Sequence, residues 1–445
     1  MKKFRLIMLV LITTCGIAQG AIINVPGSQP TIQAGINAAF PGDTVMVASG
    51  TYTGPGNYDI DTMGKAITIT SQNGATQCVI DVYWSGRGFY LHSGEGTGTV
   101  INGFTIRNGW VLDQGGGIGC FNASPTITNC VISDCTARNN GGGALYFSGS
   151  TNAIVAFTTI ANNTSENRGG GAYAMNSTCT FNFCTFTGNT ATNFEAKGGA
   201  ISCQPYCTLL VMNSTFDNNS ADYGGAVHCK EWCDPAFYNC LFFDNQAPNK
   251  RGGAIMCDQR TPSDILNCTF EGNSTGQYGG GIHLNDYSPA TIKNCIFWNN
   301  SPDQIHAFLQ SSPTVTYCDV QGGYTGNHNL NSNPLFTSGL DGAYYLSQIP
   351  SGQPSNSPCF NAGENLANLT CFPPSLNTYC MGSFTTAINQ AVDIAVADMG
   401  AHYVPTTYVT PTPTPWQPPV PAASPGGCII LAGLFSVLLM LRRLV

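Results

Sequence analysis

The sequence predicts an all-β chain wound into a parallel β-helix, a solenoid with coils of about 27 residues. Three observations predict it. A Gly-Gly-Ala or Gly-Gly-Gly triplet followed by an apolar residue recurs, with its third residue at Gly117, Ala144, Ala172, Ala200, Ala226, Ala254 and Gly281. A second signature alternates with it, an apolar residue with Asn three later: Ile160/Asn163, Phe186/Asn189, Phe216/Asn219, Phe242/Asn245, Phe270/Asn273 and Phe297/Asn300. Between them lie short runs of β-branched, aromatic and Cys residues broken by Gly, Asn, Pro and Ser, which is strand and turn chemistry. A fixed period of this size marks stacked units, each too small to bury its own apolar face.

The chain opens with Lys2, Lys3 and Arg5, an apolar run from Leu6 to Ala18, and a small-x-small site before Ala21, so residues 1–20 read as a secretory signal peptide. Residues 21–100 should hold an N-terminal cap and the first coils. Thr31 to Ala39 has helical spacing and a Thr cap, and a short amphipathic helix there would close the open end of the core. Strand resumes at Thr44 to Val47, and Gly103-Phe104-Thr105-Ile106 is the earliest coil that falls in register.

The repeat region, 101–325, aligns into columns. One residue past the triplet stand Ile118, Leu145, Tyr173, Ile201, Val227, Ile255 and Ile282, and two further on Cys120, Phe147, Met175, Cys203, Cys229, Cys257 and Leu284. A spacing of two puts both columns on one face, expected to be the interior. The mixed column between them, Gly119, Tyr146, Ala174, Ser202, His228, Met256 and His283, should face outward. A second strand carries Ile127, Val155, Phe181, Val211, Phe237, Ile265, Ile292 and Val315. The next apolar or small position comes three residues later, which breaks the period of two. The chain must therefore bend, and Asn129, Asn213, Asn239, Asn267 and Asn294 sit at that bend. The column from Asn163 to Asn300 is expected to form an asparagine ladder.

Charged residues make up only 9% of the chain and the net charge is −8, with no basic run outside the termini. That argues against a nucleic-acid partner. Of 20 cysteines, 18 lie outside the two terminal segments. No CxxC pair is present, and the CxxxC pairs Cys203/Cys207 and Cys229/Cys233 are poor metal signals, so no metal site is expected. Their columns suit buried thiols, or axial disulfides at Cys179, Cys207 and Cys233.

The best candidate surface lies six residues past the triplet, where the column reads Ala123, Ser150, Thr178, Tyr206, Trp232, Arg260 and Tyr287. Four consecutive coils place Tyr, Trp, Arg and Tyr in one file. Lys230, Glu231, Asp258, Asp286, His228 and His283 flank it. Aromatic faces spaced along an axis suit sugar rings, and Arg with carboxylates suits hydroxyls and uronates. The alternative is a solvated turn face. Glu231, Asp258 and Asp286 are weak candidates for paired catalytic carboxylates. Arg260 with Asp258 and Asp264 is a thin version of a lyase set, for which calcium would be the cofactor; otherwise none is expected.

The stretch from Val25-Pro26-Gly27 to Gly50-Thr51-Tyr52 resembles the start of bacterial β-helix proteins of the pectate-lyase-like superfamily, and the Gly-Gly-Ala-Ile and Phe-x-x-Asn repeats resemble those of chlamydial polymorphic outer membrane proteins. The resemblance implies a right-handed coil. It implies little about activity, because that fold carries lyases, hydrolases, esterases and adhesins. Asn333-Pro334-Leu335-Phe336, Tyr345-Leu346-Ser347, Ser357-Pro358-Cys359 and Asp398-Met399-Gly400-Ala401 make residues 326–404 similar to the choice-of-anchor module of exported β-helices. A Pro/Thr-rich linker, 405–425, leads to a tail, 426–445, in which Gly426-Gly427-Cys428, an apolar stretch to Leu441 and Arg442-Arg443 resemble a tripartite bacterial sorting signal. The stretch 428–441 would touch membrane before processing by the sorting machinery. The expectation is an exported protein, released or held at the cell surface or outer membrane, that binds an extracellular polysaccharide or a cell-surface component. The alternatives are a polysaccharide lyase or glycoside hydrolase, and a structural spacer.

Overall fold

The structure, a computed structural model, describes residues 20–403 apart from 150–151, 341 and short stretches within 365–395. The signal-peptide run, the linker and the tail with Gly426, Gly427 and Cys428 lie outside the described residues. The chain is a right-handed parallel β-helix. Its walls are three parallel sheets of twelve, eleven and nine strands, and neighbouring strands come from successive coils. In one coil, Val227–Lys230 joins the nine-stranded sheet, Asp234–Tyr238 the twelve-stranded and Leu241–Phe243 the eleven-stranded.

The glycine triplet has a separate reason at each place. The first residue needs left-handed backbone, with φ of 64° at Gly198, 61° at Gly224 and 71° at Gly252. The second lies against the next coil: a Cβ on Gly225 would sit 2.2 Å from the Gly253 carbonyl oxygen. The third has room for a methyl group, which Ala144, Ala200, Ala226 and Ala254 fill in the core. One coil departs from the predicted alignment. Its triplet is Gly169-Gly170-Gly171, because Ala172 pairs with Leu145 and Ile201. Ala172 and Ala174 therefore face inward and Tyr173 outward. The run of three glycines before Ala172 conceals that one-residue shift.

The interior columns close one continuous core from Val25 to Val320. The bend column is left-handed as the break in period requires, with φ of 52° at Asn129, 50° at Asn213, 54° at Asn239, 52° at Asn267 and 54° at Asn294. Past it, Phe186, Phe216, Phe242, Phe270 and Phe297 stack with centroids 4.6–4.9 Å apart, the strand spacing itself. The ladder forms beside this stack. From Asn189 on, each amide oxygen accepts both the backbone N–H and the side-chain amide of the coil before, as Asn245 Oδ1 does from Asn219 N at 3.1 Å and Asn219 Nδ2 at 3.0 Å. The sixteen cysteines whose side chains are described are free thiols and buried.

At the N-terminal end Thr31 Oγ1 accepts from the Ala34 N–H and caps the helix Ile32–Ala38, whose Ile32 and Ile36 join the core. Coiling begins earlier than position 103. Ile22–Val25, Thr44–Val47 and Thr68–Ser71 already pair in register ahead of Val100–Asn102, and these coils lack the glycine triplet that marks the later ones. At the other end the chain stops coiling after Val320. An antiparallel hairpin, Phe336–Gly339 with Gly342–Leu346, leads into a segment that packs along the flank of the solenoid. Phe384 and Ala397 cover Met212 and Tyr238, and Asn239 exchanges two hydrogen bonds with the backbone of His402.

Candidate functional site

The file Tyr206, Trp232, Arg260, Tyr287 occupies the turn between the nine- and twelve-stranded sheets. All four have left-handed backbone, with φ of 51°, 64°, 59° and 57°. Backbone bonds tie each turn to the next: Tyr206 N–H donates to Glu231 O at 3.0 Å, Trp232 N–H to Gln259 O at 3.1 Å, and Arg260 N–H to Asp286 O at 2.8 Å. The side chains project outward. Tyr206 is 66% exposed, Trp232 53% and Tyr287 48%. The Arg260 guanidinium lies 4.9 Å from the Trp232 ring centroid and 5.6 Å from that of Tyr287, so it occupies one side of each ring. The aromatic file stops at Tyr206, because Ala123 is buried and the residue level with Tyr206 in the preceding coil is Asn176, with Thr178 already in the strand Thr178–Asn182 opposite Thr208.

The flanking carboxylates each have their own surroundings. Glu231 is 3.4 Å from Lys230 Nζ. Asp258 accepts from Asn285 Nδ2 at 2.9 Å, and burial raises its carboxyl above the ordinary value. Asp258 and Asp264 lie on the two strands that flank the Arg260 turn, Asp258 in the nine-stranded sheet and Asp264 in the twelve-stranded. Asp286 sits in the turn itself. Among the described residues no three His, Cys, Asp or Glu converge as metal ligands.

His228 and His283 point outward, as period two demands, but each is 1% exposed. They are not surface ligands beside the file. Long side chains of the neighbouring turn roof them over. Burial, followed by the charges of Lys197, Lys230 and Arg168, pushes His228 well below the usual imidazole value. Burial, His306 and Arg251 bring His283 down to about 3.

That roof was missed in the sequence. The residue before the glycine triplet reads Arg168, Lys197, Tyr223, Arg251 and Tyr278, and these five pair coil to coil. It mixes cations with aromatics, as does the turn file at the other edge of the same sheet. The signal was one place upstream of the triplet used to align the coils.

Residues 158–320 match the family described as right handed beta helix region. Among solved structures the chain is similar to the pectate lyase Pel9A, with 16% identity, a TM-score of 0.44, and 87% of this chain and 98% of that one covered. It is also similar to a PL6 family alginate lyase, AlyGC, with 11% identity, a TM-score of 0.29, and 74% and 56% covered. A third likeness is to the catalytic unit of a GH87 alpha-1,3-glucanase from Streptomyces thermodiastaticus, with 13% identity, a TM-score of 0.28, and 77% and 72% covered. No curated protein matches the chain.

Proposed function

We propose that the protein is an exported glycan-binding module whose ligand lies along the file Tyr206, Trp232, Arg260, Tyr287. One observation carries the reading. Left-handed backbone accepts Gly or Asn at little strain and disfavours bulky residues by about 1–3 kcal/mol each. In earlier coils this turn holds Asn122 and Asn176, and the other bend holds Asn at 129, 213, 239, 267 and 294 beside Phe157, Phe183 and Tyr317. At this turn it holds Tyr, Trp, Arg and Tyr in four successive coils, exposed and aligned. The backbone gains nothing from those side chains, so their use lies in what they present to solvent. Tyr206 and Trp232 come from neighbouring coils about 4.8 Å apart, and with Tyr287 two coils further on they offer ring faces to the apolar faces of a sugar chain. Export and anchoring rest on the terminal segments of the sequence.

Affinity electrophoresis through gels containing neutral or acidic polysaccharides tests it. The protein is expected to be retarded, and Trp232→Ala to lose the retardation. Trp232→Asn should lose it as well while leaving the melting temperature unlowered, because Asn tolerates the left-handed turn. Sugar release by the wild type would move the reading to an enzyme. Retardation in no gel, or retardation equal in both variants, would remove the file as a glycan site.

A further inference from the structure

Between the pre-glycine column and the turn file, the outer face of the nine-stranded sheet holds a cleft of about 180 Å³. Lys197, Lys230 and Arg251 line it, with His228 on its floor and Asp258 and Asn285 toward the turn file. Between the terminal segments the chain has only eleven Lys and Arg, and six of them fall between 168 and 260. Four of those six, Arg168, Lys197, Arg251 and Arg260, are in no ion pair among the described residues. The two carboxylates at the cleft have other partners: Glu195 lies 3.9 Å from Lys250, and Asp258 is held by Asn285.

Two lining atoms, His228 Nδ1 and Asn285 Oδ1, are buried without a partner, as are Ser202 Oγ beside His228 in the preceding coil and Arg168 Nε beside Lys197 in the coil before that. An unmade bond at a buried donor is unfavourable, so such atoms mark where a ligand or water completes the site. The cations that crowd the cleft act on one another and on His228. Burial and then Arg168 and Lys230 lower Lys197, and the same cations help to lower His228. An anion would relieve that crowding.

We propose that this cleft is an anion subsite, in which Lys197, Lys230 and Arg251 seat a carboxylate or sulfate ester carried by the glycan whose rings meet the turn file. The inference rests on the glycan-binding reading and adds the charge class of the ligand. Lys197 and Arg251 supply the charge, Lys230 bridges cleft and file, and the neutral imidazole of His228 offers a fixed polar atom at the floor.

The test compares the wild type, Trp232→Ala, the double variant Lys197→Gln/Arg251→Gln, and Lys197→Arg in gels containing polygalacturonate, dextran sulfate or dextran. Circular dichroism checks that each variant is folded. The double variant is expected to bind the charged polymers more weakly by on the order of tenfold to a hundredfold, with its dextran mobility unchanged. Lys197→Arg, which keeps the charge, should bind like the wild type. The uronate and sulfate gels identify which anion is held. Equal retardation by dextran and both charged polymers, lost in Trp232→Ala but not in the double variant, overturns the anion subsite and leaves the glycan reading standing. Charged-polymer binding lost in the double variant but kept in Trp232→Ala supports the subsite and overturns the file. Retardation by none of the three polymers overturns both.

Discussion

The asparagine ladder makes a graded prediction. Asn245 Oδ1 accepts two bonds from Asn219, one from its backbone N–H and one from its side chain, and both donors are buried. Asn245→Ala leaves both unpaired and opens a small void. Each orphaned buried donor costs about 1–3 kcal/mol, so the change should destabilise the array by about 4 kcal/mol. Asn163 stands at the start of the ladder. Its Oδ1 accepts only the Cys135 N–H, because no amide side chain precedes it. Asn163→Ala orphans one donor and should cost about half as much.

Two measurements check this. Urea unfolding gives the overall loss, read with the caution that a linear array can open locally. Native-state hydrogen exchange reads the Asn219 N–H itself, which should lose protection in Asn245→Ala and keep it in Asn163→Ala. Equal costs for the two variants, or a loss below about 1 kcal/mol for Asn245→Ala, would show that water replaces the ladder and that the count of orphaned donors does not govern its stability.

Three further expectations follow from the same packing. Gly225→Ala should destabilise sharply, because its Cβ would meet the Gly253 carbonyl oxygen at 2.2 Å, whereas Ala226→Gly one place on should be mild by thermal unfolding. His228 and His283 are neutral when folded but take up protons when unfolded, near pH 6.5. Stability should therefore be full above pH 6.5 and fall toward pH 3, the value to which His283 is lowered, by up to about 1.4 kcal/mol per pH unit for each ring; the double variant His228→Asn/His283→Asn should flatten that slope in urea titrations at stepped pH. Alkylation of the native protein should leave Cys135, Cys229 and Cys257 unlabelled, since burial holds each thiol up near 12, and rapid labelling of any of them would contradict the packed interior.

Much of the fold was legible because a solenoid repeats its constraints. A column such as Ile127, Val155, Phe181, Val211 states one requirement eight times, and the break from period two to three located the bend at Asn129 and its successors. Three things were not legible. Three glycines before Ala172 concealed a one-residue slip. Period two gave the direction of His228 and His283 but not their cover, since exposure depends on which long side chains lie over them from the adjoining turn. The packing of the described residues beyond 326 rests on one-off contacts such as Asn239 with His402, Asn267 with Asp398 and Cys359 with Asp319, which no repeat announces.

The same logic separates structural columns from those free to carry function. Where packing dictates the residue, the column is uniform: Gly at the second place of the triplet, Asn in the ladder, Phe in the stack. The turn file and the pre-glycine column sit at the two edges of one sheet, where packing sets only the backbone and leaves the side chain open. In those two columns the central coils carry Tyr, Trp and Arg in one and Arg, Lys and Tyr in the other, in a chain with 9% charged residues. The face between them holds the unpartnered Arg168 Nε, Ser202 Oγ and His228 Nδ1. Exposed rings on one edge, unpaired cations on the other and unsatisfied polar atoms between form a surface suited to a chain of sugars that carries charge.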